Sequence, residues 1–375
     1  MVYLDNAATS FPKPESVYKA VDKAIREECG NPGRSGHKLA LSAGRIISEA
    51  RMLCARILSA PSPSDIAFAS NTTAALNMAL KGFLKSGDHV ITTTMEHNSV
   101  IRPLNSIEGI SITKLSMNLQ DGLSIDDVKK ALRPNTKLLV CTHVSNVTGT
   151  VNDIDTIGEF CRENGIIFLV DAAQSLGVRP VDVKYVDMLA FPGHKGLLAP
   201  QGTGGLYVRE GIEINTIIEG GTGSNSELLY QPDTMPSKLE SGTLNVPGLA
   251  GLSAGIRFIL EQGVENILTK EIALTQMLID GLKSIDGIRL IGAEQNNSGV
   301  VSVCFDRISP SEAALMMDAS FDIAVRSGLH CAIDAHDYIG TLKSGGTLRI
   351  SPNYFNTVDD IHKCLEALEI CAKGF

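Results

Sequence analysis

The stretch FLVDAAQSLGVRPVDVKYVDMLAFPGHKGLL, residues 168–198, decides the fold that the sequence predicts. Two short apolar runs, at 166–170 and 188–191, are typical of buried parallel strands. Polar residues follow each run: Asp171 and Gln174 after the first, His194 and Lys195 after the second. Since open α/β sheets bind ligands beyond the carboxyl ends of their strands, we expect these side chains to line a ligand site.

A carboxylate and a lysine at one sheet edge suit pyridoxal phosphate (PLP). This cofactor forms a Schiff base with a lysine and needs an acid against its pyridinium nitrogen. The same residues also have an ordinary interpretation, in which Asp171 caps a loop and Lys195 is a solvated surface lysine. The rest of the chain favours the first interpretation.

Length, composition and charge exclude several classes of protein. The chain has 375 residues, 43% of them hydrophobic, which is enough for a large core and two domains. Its net charge of -9 and the lack of a long basic run argue against nucleic acid or an anionic membrane as partner. No apolar stretch approaches the roughly 20 residues that span a bilayer, and the N-terminus does not resemble a signal peptide.

The cysteines predict a reduced, cytoplasmic protein. The 8 cysteines are spread over the chain without a CxxC pair and form no dense disulfide framework. Those that lie in helical or strand patterns are interpreted as core residues: Cys29, Cys54, Cys141, Cys161, Cys304 and Cys364. Cys371 lies near the end of the last helix, whereas Cys331 lies in a polar loop, RSGLHCA.

Strands and helices alternate along most of the chain. Further strands are predicted at 66–69, 89–93, 110–115 and 137–141, and helices at 15–29, 39–58, 124–132 and 153–164. Polar segments such as MEHNS and THVSNVTGT again follow the strands. This alternation predicts an α/β protein with a mostly parallel sheet.

The C-terminal part predicts a smaller α+β module. After a loop at 219–247, helices are predicted at 246–262, 264–283, 309–319 and from Thr357, and strands at 288–291, 299–304, 323–326 and 348–351. We therefore predict a large domain at 15–250 and a small domain formed by 1–14 and 251–375.

A further helix begins at Thr72 and Thr73, directly after a strand. Hydroxyls and free backbone N–H groups at such a turn bind anions such as phosphate. Ordinary N-capping by Ser, Asn and Thr explains the same residue types, so both interpretations stay open at this level.

Eight motifs follow one another along the chain: YLDNAAT, SNTTAALN, MEHNS, THVSNVTGT, VDAAQS, GHK, ESGT and VRSGLHCA. With these motifs the sequence resembles the class V, fold-type I PLP enzymes, and within them the Suf-type cysteine desulfurase and selenocysteine lyase family. The resemblance covers nearly the whole chain. It implies PLP-dependent transferase fold type I, a large domain with a mostly parallel sheet and a smaller C-terminal α+β domain.

The resemblance implies which residues hold the cofactor. Lys195 would form the Schiff base with PLP, and Asp171 would keep the pyridine nitrogen protonated. His97 would stack on the ring face, and Gln174 would bind the phenolic oxygen. The remaining cofactor residues are Asn146 at that oxygen or at the substrate carboxylate, Thr72, Thr73 and His194 at the phosphate, and Thr243 at the phosphate of the neighbouring subunit's cofactor.

The resemblance also implies the substrate-side residues and the partners. Arg349 would anchor the substrate carboxylate with its guanidinium fork, and Arg326 and His37 match further substrate positions. Cys331 would attack the sulfur of L-cysteine as a thiolate and hold it as a persulfide, with L-alanine as product. A sulfur-acceptor protein would take the sulfur. Thr243 implies a homodimer with shared active sites, and the catalytic residues implied are Lys195, Cys331 and His97.

Several alternatives remain. A selenocysteine lyase would cleave L-selenocysteine with the same cofactor and need not depend on Cys331. An aminotransferase or a C–S β-lyase of class V is a further alternative, and a PLP-bound regulator without turnover is another. No metal site is predicted, because His97, His143 and His194 lack the ligand spacing of zinc sites.

Two positions depart from the family pattern. Pro192 stands where the family commonly has a serine whose hydroxyl binds the phosphate, and proline has neither a hydroxyl nor an N–H. Leu329 stands where Suf-type enzymes often have a histidine, which predicts a more apolar substrate pocket. The chain also begins directly at YLDNAAT, without the usual N-terminal extension. We therefore expect a divergent branch of the family, with cysteine, selenocysteine or another compound as substrate.

Overall fold

The structure, a computed structural model, describes residues 1–28, 30–32, 36–223, 227–293, 295 and 298–373. The strands are β1 (Val2–Tyr3), β2 (Ile66–Ala69), β3 (His89–Thr93), β4 (Ser111–Leu115), β5 (Thr136–Thr142), β6 (Ile167–Asp171), β7 (Met188–Pro192), β8 (Gly204–Val208), β9 (Ile288–Ile291), β10 (Val301–Phe305), β11 (Ile323–Ala324), β12 (Arg326–Gly328) and β13 (Thr347–Ile350).

The α-helices are α1 (Glu15–Lys23), α2 (Lys38–Ile57), α3 (Thr72–Phe83), α4 (Asn98–Ser106), α5 (Ile125–Ala131), α6 (Ile154–Glu163), α7 (Val246–Gln262), α8 (Val264–Leu282), α9 (Pro310–Phe321), α10 (Ile333–Tyr338) and α11 (Val358–Lys373). A π-helical turn, Ala24–Glu28, continues α1. Within the described ranges, no helix is both long and apolar enough to cross a membrane.

A seven-stranded sheet with the order β2-β8-β7-β6-β5-β3-β4 forms the centre of the molecule. Strands β3 to β7 pair in parallel, and only β8 runs antiparallel to its neighbours β2 and β7. The predicted α/β class with a mostly parallel sheet is confirmed. Because β5, β6 and β7 are parallel, the residues at their carboxyl ends meet at one edge of the sheet.

The central sheet is buried on both faces. Leu139, Phe168 and Val170 pack into one hydrophobic core, and their chain neighbours Leu138 and Leu169 pack into the other. This alternation is the period of two that a strand imposes, and it explains why these strands have uninterrupted apolar sequences.

Most cysteines are core residues, as predicted. Those buried are Cys54, Cys141, Cys161, Cys304, Cys364 and also Cys371, whereas Cys331 is exposed and Cys29 lies outside the described residues. All cysteines of the described part are free thiols.

Two elements close to the site are missing from the prediction. Strand β8 begins with Gly204 and Gly205. A Cβ on Gly204 would lie 2.7 Å from the Phe191 carbonyl oxygen, and a Cβ on Gly205 would lie 2.6 Å from the Phe191 ring. The close approach of β7 requires these glycines, which weaken the strand signal in the sequence. Helix α4 contains Pro103. Proline is unusual inside a helix, so the sequence of this segment did not predict a helix.

The C-terminal part forms a four-stranded antiparallel sheet in the order β12-β13-β10-β9. Helices α8, α9 and α11 contribute to a third core beneath it. The parallel pairing of β1 with β11 supports placing residues 1–14 in the small domain. Helix α7 instead packs on α1 and α2, which argues for a domain limit beyond residue 262. The predicted limit at residue 250 remains a prediction.

Candidate functional site

A cavity of about 220 Å³ lies where β5, β6 and β7 end. The predicted site residues that line it are Thr72, Thr73, His97, Asn146, Asp171, Gln174, His194, Lys195, Arg326 and Arg349. The fold thus brings together residues from both ends of the chain around one space. Among the residues described, no group of three or more His, Cys, Asp or Glu side chains is arranged to hold a metal ion.

Asp171 at the end of β6 and Lys195, shortly after the end of the neighbouring strand β7, both line this cavity. Burial, and then the positive charge of Arg349, lower the pKa of Lys195 to about 8, although Asp171 opposes this change. Asp171 is the last residue of β6 and is 3% exposed. Burial raises its pKa to about 6, while a hydrogen bond from the Ala173 N–H and the charge of Lys195 oppose the rise. The pKa values of both groups are therefore shifted towards neutral pH.

His97 caps the N-terminus of α4. Its Nδ1 accepts a hydrogen bond of 3.0 Å from the Ser99 N–H. Burial is the main reason that its pKa falls to about 4, and the positive charges of Lys195 and Arg326 add to the effect. The imidazole is therefore neutral near pH 7, and its flat ring borders the cavity.

The N-terminus of α3 forms the anion-binding end of the cavity. The capping residue is Asn71, whose Oδ1 accepts from the Ala74 N–H at 2.9 Å. The hydroxyls of Thr72 and Thr73 therefore do not take part in the N-cap hydrogen bond. Both residues lie in the first turn of α3 and line the cavity. His194 lies beside them and has its pKa lowered to about 4, first by burial and then by Lys195 and Lys13.

Arg349 and Arg326 form the opposite wall and are paired across β13 and β12. Arg349 is 1% exposed; its Nη2 donates to Asp5 Oδ1 at 3.0 Å and its Nη1 to the Asn146 carbonyl at 3.1 Å. The buried Nε of Arg349 has no hydrogen-bond partner within the described residues. Two guanidinium groups, with the Arg349 Nε–H still available to donate, are suited to bind a carboxylate ligand.

Two amide side chains lie between the cavity and neighbouring segments. Gln174 donates from Nε2 to the Ala7 carbonyl at 3.0 Å, and Asn146 donates from Nδ2 to the His330 carbonyl at 2.7 Å. Asn146 therefore connects the cavity wall to the loop that carries Cys331.

Cys331 is exposed and lines a groove that adjoins the cavity at His97 and Thr73. Its Sγ lies 3.9 Å from Arg326 Nη2, and its carbonyl accepts a hydrogen bond of 2.7 Å from the Asn98 N–H. Both His330 and Cys331 have positive φ, 47° and 58°, which is a strained conformation for side-chain-bearing residues. A strained loop therefore holds the thiol in the groove beside the cavity.

Two predicted residues lie away from the cavity of their own chain. Thr243 is exposed and lines another surface groove, and its predicted role concerns a neighbouring subunit. His37 is exposed and caps α2 by accepting from the Ala40 N–H at 3.2 Å. Both roles stay predictions. Leu329 is not among the residues that line the cavity, so the expected apolar contribution to the pocket does not come from it.

Two residues that line the cavity, His330 and Ser99, and the buried neighbour of His97, Glu96, were not among the predicted site residues. His330 is buried and lines the cavity, and Ser99 lines it beside His97. Glu96 is fully buried; its Oε1 accepts from Thr93 Oγ1 at 2.6 Å and from the Thr142 N–H at 3.1 Å, and burial raises its pKa to about 8. Their position beside predicted residues, in MEHNS and LHCA, is the only signal in the sequence.

Comparison with known proteins gives a consistent result. The family described as Aminotransferase class-V matches residues 2–364. A protein of Methanothermobacter thermautotrophicus named "Probable cysteine desulfurase" is 36% identical over 98% of this chain and 94% of its own. One of the same name from Pyrococcus abyssi is 34% identical over 100% of this chain and 95% of its own.

Solved structures agree with the sequence comparison. The apo structure of a cysteine desulfurase from Thermococcus onnurineus NA1 superimposes with a TM-score of 0.92 at 32% identity, covering 100% of this chain and 95% of its own. A cysteine desulfurase of Escherichia coli, in an S-sulfonic acid form, superimposes with a TM-score of 0.87 at 28% identity, covering 98% and 93%.

Proposed function

Because the chain belongs to the class V aminotransferase family, we propose that it is a PLP-dependent cysteine desulfurase. The observation that carries the proposal is a cavity lined by Lys195 and Asp171, with Cys331 in a groove that adjoins it. A lysine and a buried acid support PLP chemistry, and a thiol beside the same space supports transfer of sulfur. The relatives with this name and the same fold support the choice of reaction.

The side chains around the cavity fit the chemical parts of PLP. Lys195 would form the Schiff base, and Asp171 would pair with the ring nitrogen. The α3 N-terminus, with Thr72 and Thr73, would hold the phosphate, and the neutral ring of His97 would stack on the pyridine. When bound, PLP supplies an electron sink for bond breaking at the substrate Cα.

The chain's own residues then orient the substrate and move its proton. Arg349 and Arg326 bind the carboxylate of L-cysteine and turn its Cα towards Lys195. The lowered pKa of Lys195, about 8, keeps a fraction of its Nζ unprotonated near neutral pH. That nitrogen accepts the Cα proton and later returns one.

Cys331 performs the sulfur transfer. Its thiolate attacks the substrate sulfur, an S–S bond forms, and the electron pair of the C–S bond passes to the carbon skeleton, which is protonated to give L-alanine. Arg326 Nη2 lies 3.9 Å from the Cys331 Sγ. The exposed thiol in the groove is accessible to a sulfur acceptor.

A homodimer with shared active sites is part of this proposal. The loop before Thr243 exposes several large apolar side chains: Ile217, Ile218, Leu228, Leu229 and Tyr230. Such a concentration of exposed apolar residues is typical of a protein interface. The free thiols support a reducing, cytoplasmic location.

The test compares the PLP-loaded wild type with Lys195→Ala and Cys331→Ala. L-cysteine and L-selenocysteine are supplied separately, and alanine, sulfide and selenide are quantified. We expect turnover of cysteine by the wild type only, and no visible band of lysine-bound cofactor in Lys195→Ala. Turnover of selenocysteine alone, retained in Cys331→Ala, would establish a lyase instead. An intact band without either activity would point to a different substrate.

A further inference from the structure

The groove that contains Cys331 has a volume of about 440 Å³ and is bordered by two helices. Helix α3 contributes Thr73, Asn77 and Lys81 to its lining. These residues follow one another at intervals of four positions, so they lie on one face of the helix. The groove therefore extends along α3 from the first turn to the last.

Helix α4 contributes Asn98, Arg102 and Ser106, which are again four positions apart. The Asn98 N–H donates to the Cys331 carbonyl at 2.7 Å, so the segment that carries the thiol lies at the first turn of α4. Eight residues of an α-helix rise about 12 Å. The groove thus leads from Cys331 over about two helical turns, which is the length of a small molecule.

The charges in this groove are all positive. Its described lining contains Lys81 and Arg102 and no aspartate or glutamate. Both side chains belong to exposed residues, and neither forms an ion pair with another residue of the described ranges. The whole chain carries a net charge of -9, so the groove differs in sign from the molecule as a whole. A local excess of positive charge attracts anions.

The composition of the lining favours a small polar ligand over a protein surface. Aromatic and aliphatic anchors dominate the energetics of protein interfaces, whereas the only apolar residue of this groove is Pro103. The volume lies within the range of small-molecule sites. The exposed apolar residues that we assign to the dimer interface do not line this groove.

We propose that the groove binds the sulfur acceptor, a small thiol that carries one or more carboxylates, with Arg102 and Lys81 as its anion-binding residues. The inference rests on the proposed function, which supplies the persulfide on Cys331. The guanidinium of Arg102 suits a carboxylate, and Lys81 adds a second charge for a dicarboxylate. The thiol of such a ligand shares the groove with Cys331.

The transfer step balances without a further reactant. The thiolate of the acceptor attacks the outer sulfur of the Cys331 persulfide, and a new S–S bond forms between them. The bond between that sulfur and Cys331 Sγ breaks, and its electron pair stays on Sγ. The acceptor leaves as a persulfide and Cys331 remains as a thiolate, so one negative charge enters and one remains.

The experiment uses full-length, PLP-loaded protein and forms the persulfide without L-cysteine. Cys331 is treated with an aromatic disulfide and then with sulfide, and Cys331→Ala treated in the same way serves as the blank. Mercaptosuccinate, a dicarboxylate, and 2-mercaptoethanol, which is neutral, are then supplied separately. Loss of the persulfide is followed by mass spectrometry after rapid quench.

The ratio of the two rates measures the preference for an anionic acceptor. We expect this ratio to fall about threefold in Arg102→Gln and in Lys81→Gln, and about tenfold in the double variant, as expected for charges a few ångströms away near a protein surface. Arg102→Lys keeps the charge and should keep most of the ratio. Added salt should lower the wild-type ratio towards that of the double variant.

Arg45→Gln is the matched control, because Arg45 is an exposed cation of α2 that does not line the groove. The ratio should stay at the wild-type value in this variant. An unchanged ratio in the double variant, or an equal fall in Arg45→Gln, would overturn the inference.

Loading of Cys331 from L-cysteine tests the proposed function separately. If the chemically formed persulfide shows the expected ratios but L-cysteine never forms one, the groove binds anionic thiols and the proposed function fails. If L-cysteine forms the persulfide and the ratio does not depend on Arg102 or Lys81, the function stands and the inference about the groove fails.

Discussion

Asn146 donates a hydrogen bond of 2.7 Å from its side-chain amide to the carbonyl of His330, 184 positions further along the chain. His330 and the next residue, Cys331, have positive φ, so this bond helps to hold a strained segment in place. A residue of the cavity wall thus contacts the segment that carries the thiol.

Loss of this bond should impair sulfur transfer more than binding of the cofactor. In Asn146→Asp the carboxylate keeps the size of the side chain but cannot donate to His330. A net hydrogen bond of about 1 kcal/mol corresponds to roughly a fivefold effect. We expect the rate of persulfide formation on Cys331 to fall at least fivefold, measured by mass spectrometry after rapid quench.

The matched control for this variant is Asn135→Asp, which also loses an amide donor to a backbone carbonyl, that of Gly87, but is exposed and does not line the cavity. It should leave the delivery of Cys331 largely intact. Equal persulfide rates in Asn146→Asp and the wild type would show that the bond does not position the thiol.

Asp171→Asn should stabilise the cofactor-free protein. The pKa of Asp171 is raised by burial to about 6 in the folded chain, above its ordinary value of 3.8. A raised pKa means that the folded state loses stability as the pH increases from about 4 to about 6. At pH 7 the buried carboxylate therefore costs roughly 2–3 kcal/mol, which asparagine removes.

Thermal unfolding of the two cofactor-free proteins at pH 7 and near pH 4 checks this. The melting temperature of Asp171→Asn should exceed that of the wild type at pH 7, and the gain should shrink towards pH 4. A gain that does not depend on pH would mean that the carboxylate is not the cause. The PLP-loaded variant should be much less active, because the ring nitrogen loses its anionic partner.

Arg349→Lys should weaken binding of the substrate carboxylate. A lysine keeps the charge but not the planar fork, and it cannot reach Asp5, Asn146 and a ligand together. We expect the KM for L-cysteine to rise about tenfold or more, with a smaller effect on kcat.

Asp5→Asn serves as the control, since it breaks the same ion pair and leaves the guanidinium in place. A similar increase in KM for both variants would assign the effect to the ion pair and not to contact with the substrate.

Pro192→Ser should tighten PLP binding. Pro192 ends β7 immediately before the GHK segment and has no hydrogen to donate. A serine hydroxyl there adds one hydrogen bond to a charged phosphate, which corresponds to roughly a tenfold decrease in the Kd for PLP. Fluorescence titration of the cofactor-free protein measures this. An unchanged Kd would indicate that other donors already fill this position.

The fold was largely accessible from sequence because its signals are local. Short runs rich in apolar and β-branched residues predicted strands β2, β3 and β9 at the bounds observed. Strand β8 and helix α4 were missed for opposite reasons. The glycines of β8 are required by the close approach of Phe191, and they weaken the strand signal. Proline has a low helix propensity and therefore lowers the helix signal of α4, although tertiary packing stabilises the helix.

The sequence by itself determined the family, the mostly parallel sheet and the residue types of the site. Strand periodicity and short motifs depend only on residues that are close together in the chain, so they can be recognised without the structure. Only the tertiary structure decided the rest. The pKa of Asp171 depends on burial. The contact between Thr73 of α3 and Ser99 of α4 joins residues that are 26 positions apart in the chain. The outward direction of Cys331 depends on hydrogen bonds from Asn98 and Asn146, residues far away in the chain. Desolvation and long-range hydrogen bonds are properties of packing, and no local pattern encodes them.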